Sequence, residues 1–445
     1  IGTAIGRLRL VNNIEDESED DIEANDIVVL KEVPLSLPPV AGVITTRPST
    51  VLSHVNVLAK GWGIPNIYVH DAFESLAQYD RQWVKLEAQA EGYTITPTQK
   101  AALTPLGPKP KALHAARLDV AELQTLAQMR KSAQAYCGSK AATLGEIEYQ
   151  RVHGQLPNIA NVPDGFCIPY AHYAHFMARP DVRARIKAAL ASEGFERSRV
   201  VRRQALQALR NDLVAMPQDE TAALWGEQWK TQLAGAGVFV RSSSNSEDLP
   251  NWSGAGLFST VPNVRTEQDL LRAVQTVWAS VYNFEAYEVR RHAGLADSDL
   301  LMGVFVMRAV DAAASGVMIT RDPFDLSHRN SAYISAKNGL GIKVVEGKKL
   351  AEQSLYDLRS NAVRRLSWSD EDSLLTLDAK GGVVEQAIEP GAKVLPDNEV
   401  RDLAKVGLRL KQLFGGVDQD IEWAIDKSGR IVMLQSRPYI EHRTP

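Results

Sequence analysis

Residues 418–438 read DQDIEWAIDKSGRIVMLQSRP, and this stretch predicts a β-hairpin. The four residues at 426–429, DKSG, are typical of a tight turn between two strands. On either side of the turn, apolar and polar residues alternate, as they do in strands that have one buried face. Ile421, Trp423 and Ile425 form the apolar side of this pattern, so the other side is available for chemistry.

The polar side of the hairpin carries two acids, an amide and a guanidinium: Asp420, Glu422, Gln435 and Arg437. The register expected from the turn places Asp420 opposite Gln435 and Glu422 opposite Met433. Carboxylate and amide oxygens suit Mg²⁺, so Asp420, Glu422 and Gln435 are candidate metal ligands. Arg437 is a candidate phosphate ligand. Because no basic residue is expected across from either acid, we prefer this interpretation to the alternative, the solvated face of an edge hairpin.

The rest of the chain divides into two parts. Residues 116–445 mix strands and helices without an internal repeat, which indicates an α+β domain with one substantial core. Residues 1–97 read as short strands and turns, interrupted by a helical pattern from Ser53 to Gly61. The segment 98–115 holds three prolines and three lysines and has no apolar face, so we expect a linker there.

Composition excludes several function classes. The chain has 445 residues, with 50 Lys+Arg against 54 Asp+Glu, and the formal charge of −4 gives no reason to expect nucleic acid or a membrane as partner. No run of eighteen apolar residues exists, so a membrane span is excluded. The two cysteines, Cys137 and Cys167, are too few for a disulfide scaffold. We interpret them as small buried side chains in a reducing, cytoplasmic setting.

His54 is a candidate nucleophile because it lies at the start of the predicted helix. A helix N-terminus offers free N–H groups and a partial positive charge, which together favour a phosphate. A neutral imidazole near such a phosphate can become a covalent phosphoryl carrier. A lone histidine is more often structural, and that alternative stays open on spacing alone.

Two other segments favour phosphate binding. Arg241 ends a predicted strand and precedes the long loop SSSNSEDLPNWSGAG, and its guanidinium can bind phosphate through two donors. In that loop, Gly254 and Gly256 would let backbone amides approach phosphate oxygens, although a plain surface loop is the alternative. In GSKAATLG, Lys140 lies in the first turn of a predicted helix, where a cation is unfavourable unless an anion is near.

These elements together resemble the superfamily of phosphoenolpyruvate synthases, pyruvate phosphate dikinases and glucan water dikinases. The similar segments cover nearly the whole chain: GSKAATLGEI, VPDGFCIPYAHYAHFM, VRSSSNSEDLPNWSGAGLFST, ASGVMITRDP, NGLG and the hairpin. The sequence VLSHV around His54, and the order of the two parts, are closest to the glucan water dikinases. Lys60 stands where the pyruvate enzymes carry Arg.

The resemblance implies a swivelling phosphohistidine domain at residues 1–97, with His54 as the phosphorylated residue, followed by an ATP-grasp nucleotide-binding domain at 116–445. It implies ATP and Mg²⁺ as cofactors. It further implies cations that contact phosphate and oxygens that hold the metal: Lys140, Arg241 and Arg437 for phosphate, and Glu422 and Gln435 for Mg²⁺.

The expected reaction moves the β-phosphoryl group of ATP to His54 and then to an acceptor, and it releases AMP and phosphate. Arg241 and His54 are the expected catalytic residues. A glucan hydroxyl is our first choice of acceptor and pyruvate the second, and we expect the acceptor to be bound outside this chain. Two alternatives stay open, a small-molecule phosphotransferase and a non-catalytic ATP-binding scaffold.

Overall fold

The computed structural model describes residues 2–12, 22–34, 37–48, 53–89, 91–100, 113–247, 254, 256–325, 327–346 and 349–439. Helices and strands are both well represented in these ranges, which confirms the predicted α+β class. Most of the expected linker, residues 101–112, lies outside the described residues. We call residues 2–97 the N-terminal region and residues 113–439 the C-terminal region.

The N-terminal region is built on one sheet. Its strands are β1 (Gly2–Val11), β2 (Asp26–Leu30), β3 (Gly42–Thr45), β4 (Asn66–Tyr68), β5 (Trp83–Gln89) and β6 (Gly92–Pro97), in the order β4-β3-β2-β1-β5-β6. Strands β1 to β4 are parallel, and β5 and β6 are added antiparallel. Its helices are α1 (His54–Trp62) and α2 (Ala72–Ser75).

Helix α1 confirms the helix predicted near His54. The Ser53 hydroxyl accepts a hydrogen bond from the Asn56 amide at 3.4 Å, which satisfies one of the free N–H groups of the first turn. Gly63 ends the helix in the left-handed region at φ 66°, a conformation that glycine adopts without strain. His54 is therefore the first helical residue, as expected from the sequence.

The C-terminal region contains many more elements. Its strands are β7 (Gln124–Thr125), β8 (Ala160–Asn161), β9 (Gly165–Ile168), β10 (Val238–Ser244), β11 (Thr260–Val264), β12 (Met302–Arg308), β13 (Ala312–Ile319), β14 (Ser331–Asn338), β15 (Glu352–Asp357), β16 (Ala362–Ser367), β17 (Ser373–Leu377), β18 (Val383–Ala387), β19 (Gln419–Asp426) and β20 (Ile431–Pro438). Its helices are α3 (Gln134–Val152), α4 (Tyr170–Ala178), α5 (Pro180–Leu190), α6 (Arg199–Ala215), α7 (Ala222–Leu233), α8 (Glu267–Ala279), α9 (Phe284–Ala293), α10 (Ile342–Glu346) and α11 (Asp397–Leu413).

These strands form two large sheets and a separate hairpin. The first sheet has the order β11-β10-β12-β9-β7, and the second has the order β16-β15-β14-β13-β19-β20-β8. Strands β17 and β18 pair with each other, and an isolated bridge joins Leu375 of β17 to Gly339. One core cluster joins the second sheet to α3 and α11, and another packs α4 to α9 on the first sheet. The two sheets thus belong to two packed layers that meet at α3.

The hairpin predicted from residues 418–438 is present as β19 and β20, but the expected register is wrong. Asp426 Oδ1 accepts hydrogen bonds from the amides of Ser428 and Arg430, so the turn is one residue longer than expected. A further shift follows between Glu422 and Trp423. Together these changes place Glu422 opposite Gln435 and leave Met433 opposite Trp423.

The hairpin also differs from an edge hairpin, because β19 pairs with β13 and β20 pairs with β8. Its apolar side is buried as predicted: Ile421 and Trp423 have no exposed surface, and Ile425 is 3% exposed. The polar side therefore lies at the inner part of a sheet, where unpaired charge is costly and must find partners.

The two cysteines are buried as expected, but the structure joins them in a disulfide between Cys137 in α3 and Cys167 in β9. Composition alone did not anticipate this bond, and it removes the cysteine argument for a reducing compartment. None of the described helices is long and apolar enough to cross a membrane. The cytoplasmic location stays a prediction.

Candidate functional site

Arg241 on β10 connects the first sheet to the polar side of the hairpin in the second. Its Nη2 donates to Glu422 Oε2 at 2.8 Å and to Gln435 Oε1 at 3.0 Å. Its Nη1 donates to the Leu434 carbonyl at 2.8 Å. The side chain is only 11% exposed, so it is largely buried where the two sheets meet, and we call this junction the cleft. Arg241, Glu422 and Gln435, which the sequence assigned to one site, do lie together.

Asp420 and Arg437 form a second ion pair beside the first. Arg437 lies directly opposite Asp420 in the hairpin, and its Nε donates to Asp420 Oδ2 at 2.8 Å. The expectation that no basic residue faces these acids is therefore wrong: each carboxylate has its own arginine. The arginines come from the corrected register and from a different sheet, which alternation along the hairpin could not reveal.

The two carboxylates have different electrostatic surroundings. Burial raises the pKa of Asp420 above its ordinary value, even though Arg437 opposes that shift. Burial would also raise the pKa of Glu422, but Arg241, Arg437 and Lys140 outweigh it and lower that pKa. Glu422 is therefore firmly ionised near neutral pH, as a ligand for a hard cation needs to be.

Lys140 lies on the same side of the cleft. Its Nζ donates to Ser242 Oγ at 3.0 Å and to Glu247 Oε1 at 3.1 Å. The anion that the sequence argument required near Lys140 is, in this structure, the Glu247 carboxylate. Lys140 also lies near enough to Glu422 to lower its pKa, so it shares the cleft with Arg241.

Glu247 is a site residue that sequence reasoning missed. It is 3% exposed, and its carboxylate also accepts from the Ser242 hydroxyl at 3.0 Å and from the Ser244 amide at 3.3 Å. Its own carbonyl accepts from Ser139 Oγ at 3.2 Å. Glu247 therefore fixes the start of the long loop against the helix that carries Lys140. An acid inside a serine-rich loop, within a segment that resembles the family, was the available signal.

Gly138 explains how that helix approaches β10 so closely. Its φ of 80° interrupts the regular geometry of α3. A Cβ atom at this position would lie 2.1 Å from the carbonyl oxygen of Ser243. Only glycine combines this conformation with this contact, so Gly138 sets the distance between Lys140 and the strand of Arg241.

The two loop glycines singled out by the sequence behave differently. Gly256 has φ +72°, and a Cβ atom there would lie 2.6 Å from Nδ1 of His54. A Cβ atom at Gly254 would lie 3.4 Å from Glu247 Cγ, an ordinary contact. Residues 248–253 and 255 of this loop lie outside the described residues. The described part therefore brings His54 directly against the loop that the sequence assigned to ATP.

The face of α1 next to His54 packs on the C-terminal region through apolar side chains. One cluster contains members of α1, the residue after Gly256, and α9: Val55, Leu58, Trp62, Leu257, Ala286, Val289 and Ala293. Val57 packs against a second cluster that includes Tyr439, just beyond β20. Helix α1 thus lies across both the loop and the end of the hairpin.

Lys60 adds a polar contact to this apolar one. Its Nζ lies 3.5 Å from the Tyr439 hydroxyl and 5.7 Å from the centre of the Tyr439 ring. Burial lowers the pKa of Lys60, and the negative charge of Asp420 opposes that shift. In the sequence, Lys60 is notable only as a departure from Arg, and no local pattern predicts that it lies near Asp420.

The hairpin offers oxygen atoms that could ligate a cation. Among the described residues, no three or more His, Cys, Asp or Glu side chains form a group that could hold a metal. Glu422 and Gln435, however, direct an oxygen each to the same Arg241 nitrogen, at 2.8 and 3.0 Å. Two oxygens that converge on one cationic atom fit Mg²⁺ whose other ligands are phosphate and water. Asp420, held by Arg437, is a more remote candidate.

Comparisons with known proteins identify the family of the C-terminal region. Residues 134–444 match the family described as "Pyruvate phosphate dikinase, AMP/ATP-binding domain". A rifampicin phosphotransferase from Streptomyces sp is 32% identical over 305 residues, which cover 68% of this chain and 34% of that protein. A probable phosphoenolpyruvate synthase from Archaeoglobus fulgidus is 29% identical and covers 70% of this chain and 41% of its own length.

A third relative is a prodigiosin synthesizing transferase from Serratia marcescens, 30% identical over 69% of this chain and 32% of its own. The chain therefore spans roughly a third to two fifths of the length of these relatives. Among solved structures, D-alanyl-alanine synthetase A from Vibrio cholerae covers 53% of this chain and 54% of its own at 10% identity, with a TM-score of 0.24. That score is too low to indicate a shared fold.

Proposed function

Since the chain belongs to the family of pyruvate phosphate dikinase AMP/ATP-binding domains, we propose that it loads a phosphoryl group from ATP onto His54. The observation that carries the proposal is the contact between the His54 imidazole and Gly256, because it joins a nucleophile to the loop after Arg241. Phosphoryl transfer depends mainly on positioning and charge neutralisation, and the cleft offers both.

The basic side chains of the cleft would exchange partners when ATP binds. Arg241 and Lys140 are each held by a carboxylate, Glu422 and Glu247 respectively, which keeps these cations ordered before the substrate arrives. Phosphate oxygens would then accept hydrogen bonds from the N–H donors of Arg241 and Lys140 that these ion pairs leave unused. Mg²⁺ held by Glu422 and Gln435 would neutralise further charge on the phosphates.

His54 would attack the β-phosphorus as a neutral imidazole. The bond to the α,β-bridging oxygen breaks, AMP leaves, and water then removes the γ-phosphate as inorganic phosphate, so that one phosphoryl group stays on His54. The start of α1 favours the incoming negative charge. The N-terminal region would next carry the phosphoryl group to the acceptor, a rigid-body change of the kind common in such enzymes.

The acceptor class is proposed from the relatives. From the sequence alone our first choice is a glucan hydroxyl. Two relatives carry small molecules in their names, rifampicin and prodigiosin, and these favour a small-molecule acceptor over a glucan. We propose that another protein segment holds this acceptor, since the relatives are much longer than the part this chain spans.

The test is incubation with ATP labelled at the β or the γ position. We expect label from the β position only, stable to base, labile to acid and absent from His54→Ala. Release of AMP should accompany it in equal amount. Label arriving only from the γ position, or persisting in His54→Ala, would contradict the proposal. ATP binding without AMP release would favour the non-catalytic scaffold.

A further inference from the structure

A cavity of about 510 Å³ lies between the N-terminal and C-terminal regions, away from the ATP cleft residues. One wall consists of residues 23–25 and Pro39, which precede β2 and β3. The other wall is made by the start of α6 and the end of α9. A ligand here would touch both regions at once.

The second wall is strongly basic. It contains four arginines and a histidine: Arg197, Arg199, Arg202, Arg291 and His292. Among the described residues, the lining carboxylates are Glu23 and Glu288, and Glu196 beside the cavity pairs with Arg291 at 2.6 Å, so the four arginines still outnumber these three acids. The cavity is thus suited to an anion rather than to a neutral or cationic molecule.

The first turn of α6 makes this excess unusual. This helix of 17 residues has no acidic residue in its first turn, and Arg199 and Arg202 stand there instead. Cations at a helix N-terminus are unfavourable unless an anion lies near. The Ser198 hydroxyl satisfies only the Val201 amide, at 3.3 Å. Glu288 in α9 already supplies one anion to these arginines, and an anion in the cavity would add to its effect.

The ion pairs in the basic wall do not use all the N–H donors of its arginines. Glu288 is shared between Arg199, at 3.0 Å, and Arg202, at 2.5 Å. Arg199 Nη1 is buried and has no hydrogen-bond partner in the part of the chain that the structure describes. Burial lowers the pKa of Arg199, and Glu288 only partly offsets this effect. One carboxylate between two guanidinium groups therefore leaves room for a second anionic partner.

We propose that this cavity binds a small phosphate-bearing molecule, and that the bound ligand holds the two regions in the arrangement in which His54 contacts Gly256. The ligand would accept hydrogen bonds from Arg197 and from Arg291, which now binds the exposed Glu196 carboxylate, and would lie above the Arg199–Glu288–Arg202 group. A ligand that binds only the arrangement in which His54 contacts Gly256 raises the population of that arrangement as the ligand concentration rises. The link to His54 rests on the proposed function, whereas the binding site itself does not.

The probe is inorganic pyrophosphate, titrated calorimetrically into a Lys140→Ala/Arg241→Ala background that weakens binding in the ATP cleft. We expect one site, and at least about tenfold weaker binding in Arg197→Ala and in Arg291→Ala. The matched control is Arg185→Ala, which removes an exposed arginine paired with Asp212 and should leave binding unchanged. Equal weakening in the control would mean a nonspecific charge effect and would overturn the proposal.

The acidic run at residues 15–21 precedes the cavity wall in sequence, so its carboxylates are candidate competitors of pyrophosphate. A variant in which these acids are neutralised tests this competition. No pyrophosphate binding in either the parent or this variant would overturn the site.

The second readout is the rate at which diethylpyrocarbonate modifies His54, with His54→Asn as the control. We expect pyrophosphate to slow this modification severalfold in the wild type and not in Arg197→Ala. An unchanged wild-type rate would overturn the link between ligand binding and the His54–Gly256 contact. This readout does not depend on phosphorylation of His54.

Discussion

In the cleft between the two C-terminal sheets each cation is paired with a carboxylate, whereas the contact between α1 and that cleft is mainly apolar. Arg241 and Lys140 are held within 3.1 Å of acids, in fixed positions. Helix α1 contributes Val55 and Leu58 to an apolar cluster and adds Lys60 as its polar contact with Tyr439. Ordered charges keep the cleft ready for phosphate, whereas separating the α1 contact would break few hydrogen bonds but would expose apolar surface to water.

The largest effect should come from the cleft. Glu422→Gln keeps the shape of the side chain and an oxygen for Arg241, but it removes the charge that a hard cation needs. We expect AMP release to fall about 100- to 1,000-fold with the fold retained. AMP release measured against Mg²⁺ concentration, with circular dichroism as the folding control, checks this. Turnover within about threefold of the wild type would exclude Glu422 as a metal ligand.

The disulfide should make the cleft more resistant to unfolding than the α1 contact. Cys137 precedes Gly138 and the Lys140 turn, and its bond to Cys167 closes a loop of about 30 residues. Chain-entropy arguments give such a loop about 3.6 kcal/mol. We expect Cys137→Ala/Cys167→Ala to shift the urea midpoint downward, and a reducing agent to do the same to the wild type alone. Two thiols that alkylate without prior reduction would contradict the bond.

Gly256 lies where the C-terminal region contacts His54, and substitutions at Gly256 and Gly254 form a matched pair of variants. In Gly256→Ala the new Cβ would meet His54 Nδ1 at 2.6 Å and the φ of +72° would be strained, so His54 must move. We expect phosphorylation of His54 to slow about 100-fold while ATP binding is kept. Gly254→Ala has room for its Cβ and should load His54 at the wild-type rate. Equal rates in the two variants would show that the contact does not guide transfer.

The hairpin, its buried face and the helix at His54 could be predicted because each is set by neighbours in sequence. The ion pair between Arg241 and Glu422 joins residues 181 apart, and no local pattern specifies it. The register failed for a similar reason: the Asp426 side chain lengthened the turn, and a bulge beyond it shifted the pairing again. Alternation gives the face on which a residue lies, but side-chain hydrogen bonds decide what lies opposite.

The same limit applies to His54 and Gly256. Each was identified for a local reason, a helix start and a loop glycine, and their contact depends on how two regions pack. The disulfide is a third example, since Cys137 and Cys167 lie in a helix and a strand with nothing local to pair them. Contacts between segments that are distant in sequence depend on how whole sheets and helices pack. A single sequence does not show this packing.

Lys60 gives the smallest effect and the most direct measure of the α1 contact. Burial lowers its pKa when α1 is docked, so the undocked state binds more protons and docking becomes more favourable as pH rises from that lowered pKa towards 10.5. Lys60→Arg keeps the positive charge but does not titrate in this range. We therefore expect the ratio of wild-type to Lys60→Arg loading rates, measured in single turnovers above pH 7.5, to rise with pH. Because one pKa unit corresponds to about tenfold in the docking equilibrium, the size of this rise measures how far burial lowers the lysine pKa. A ratio that stays flat to pH 10 would mean that Lys60 remains hydrated in the docked state, and that the α1 contact is apolar alone.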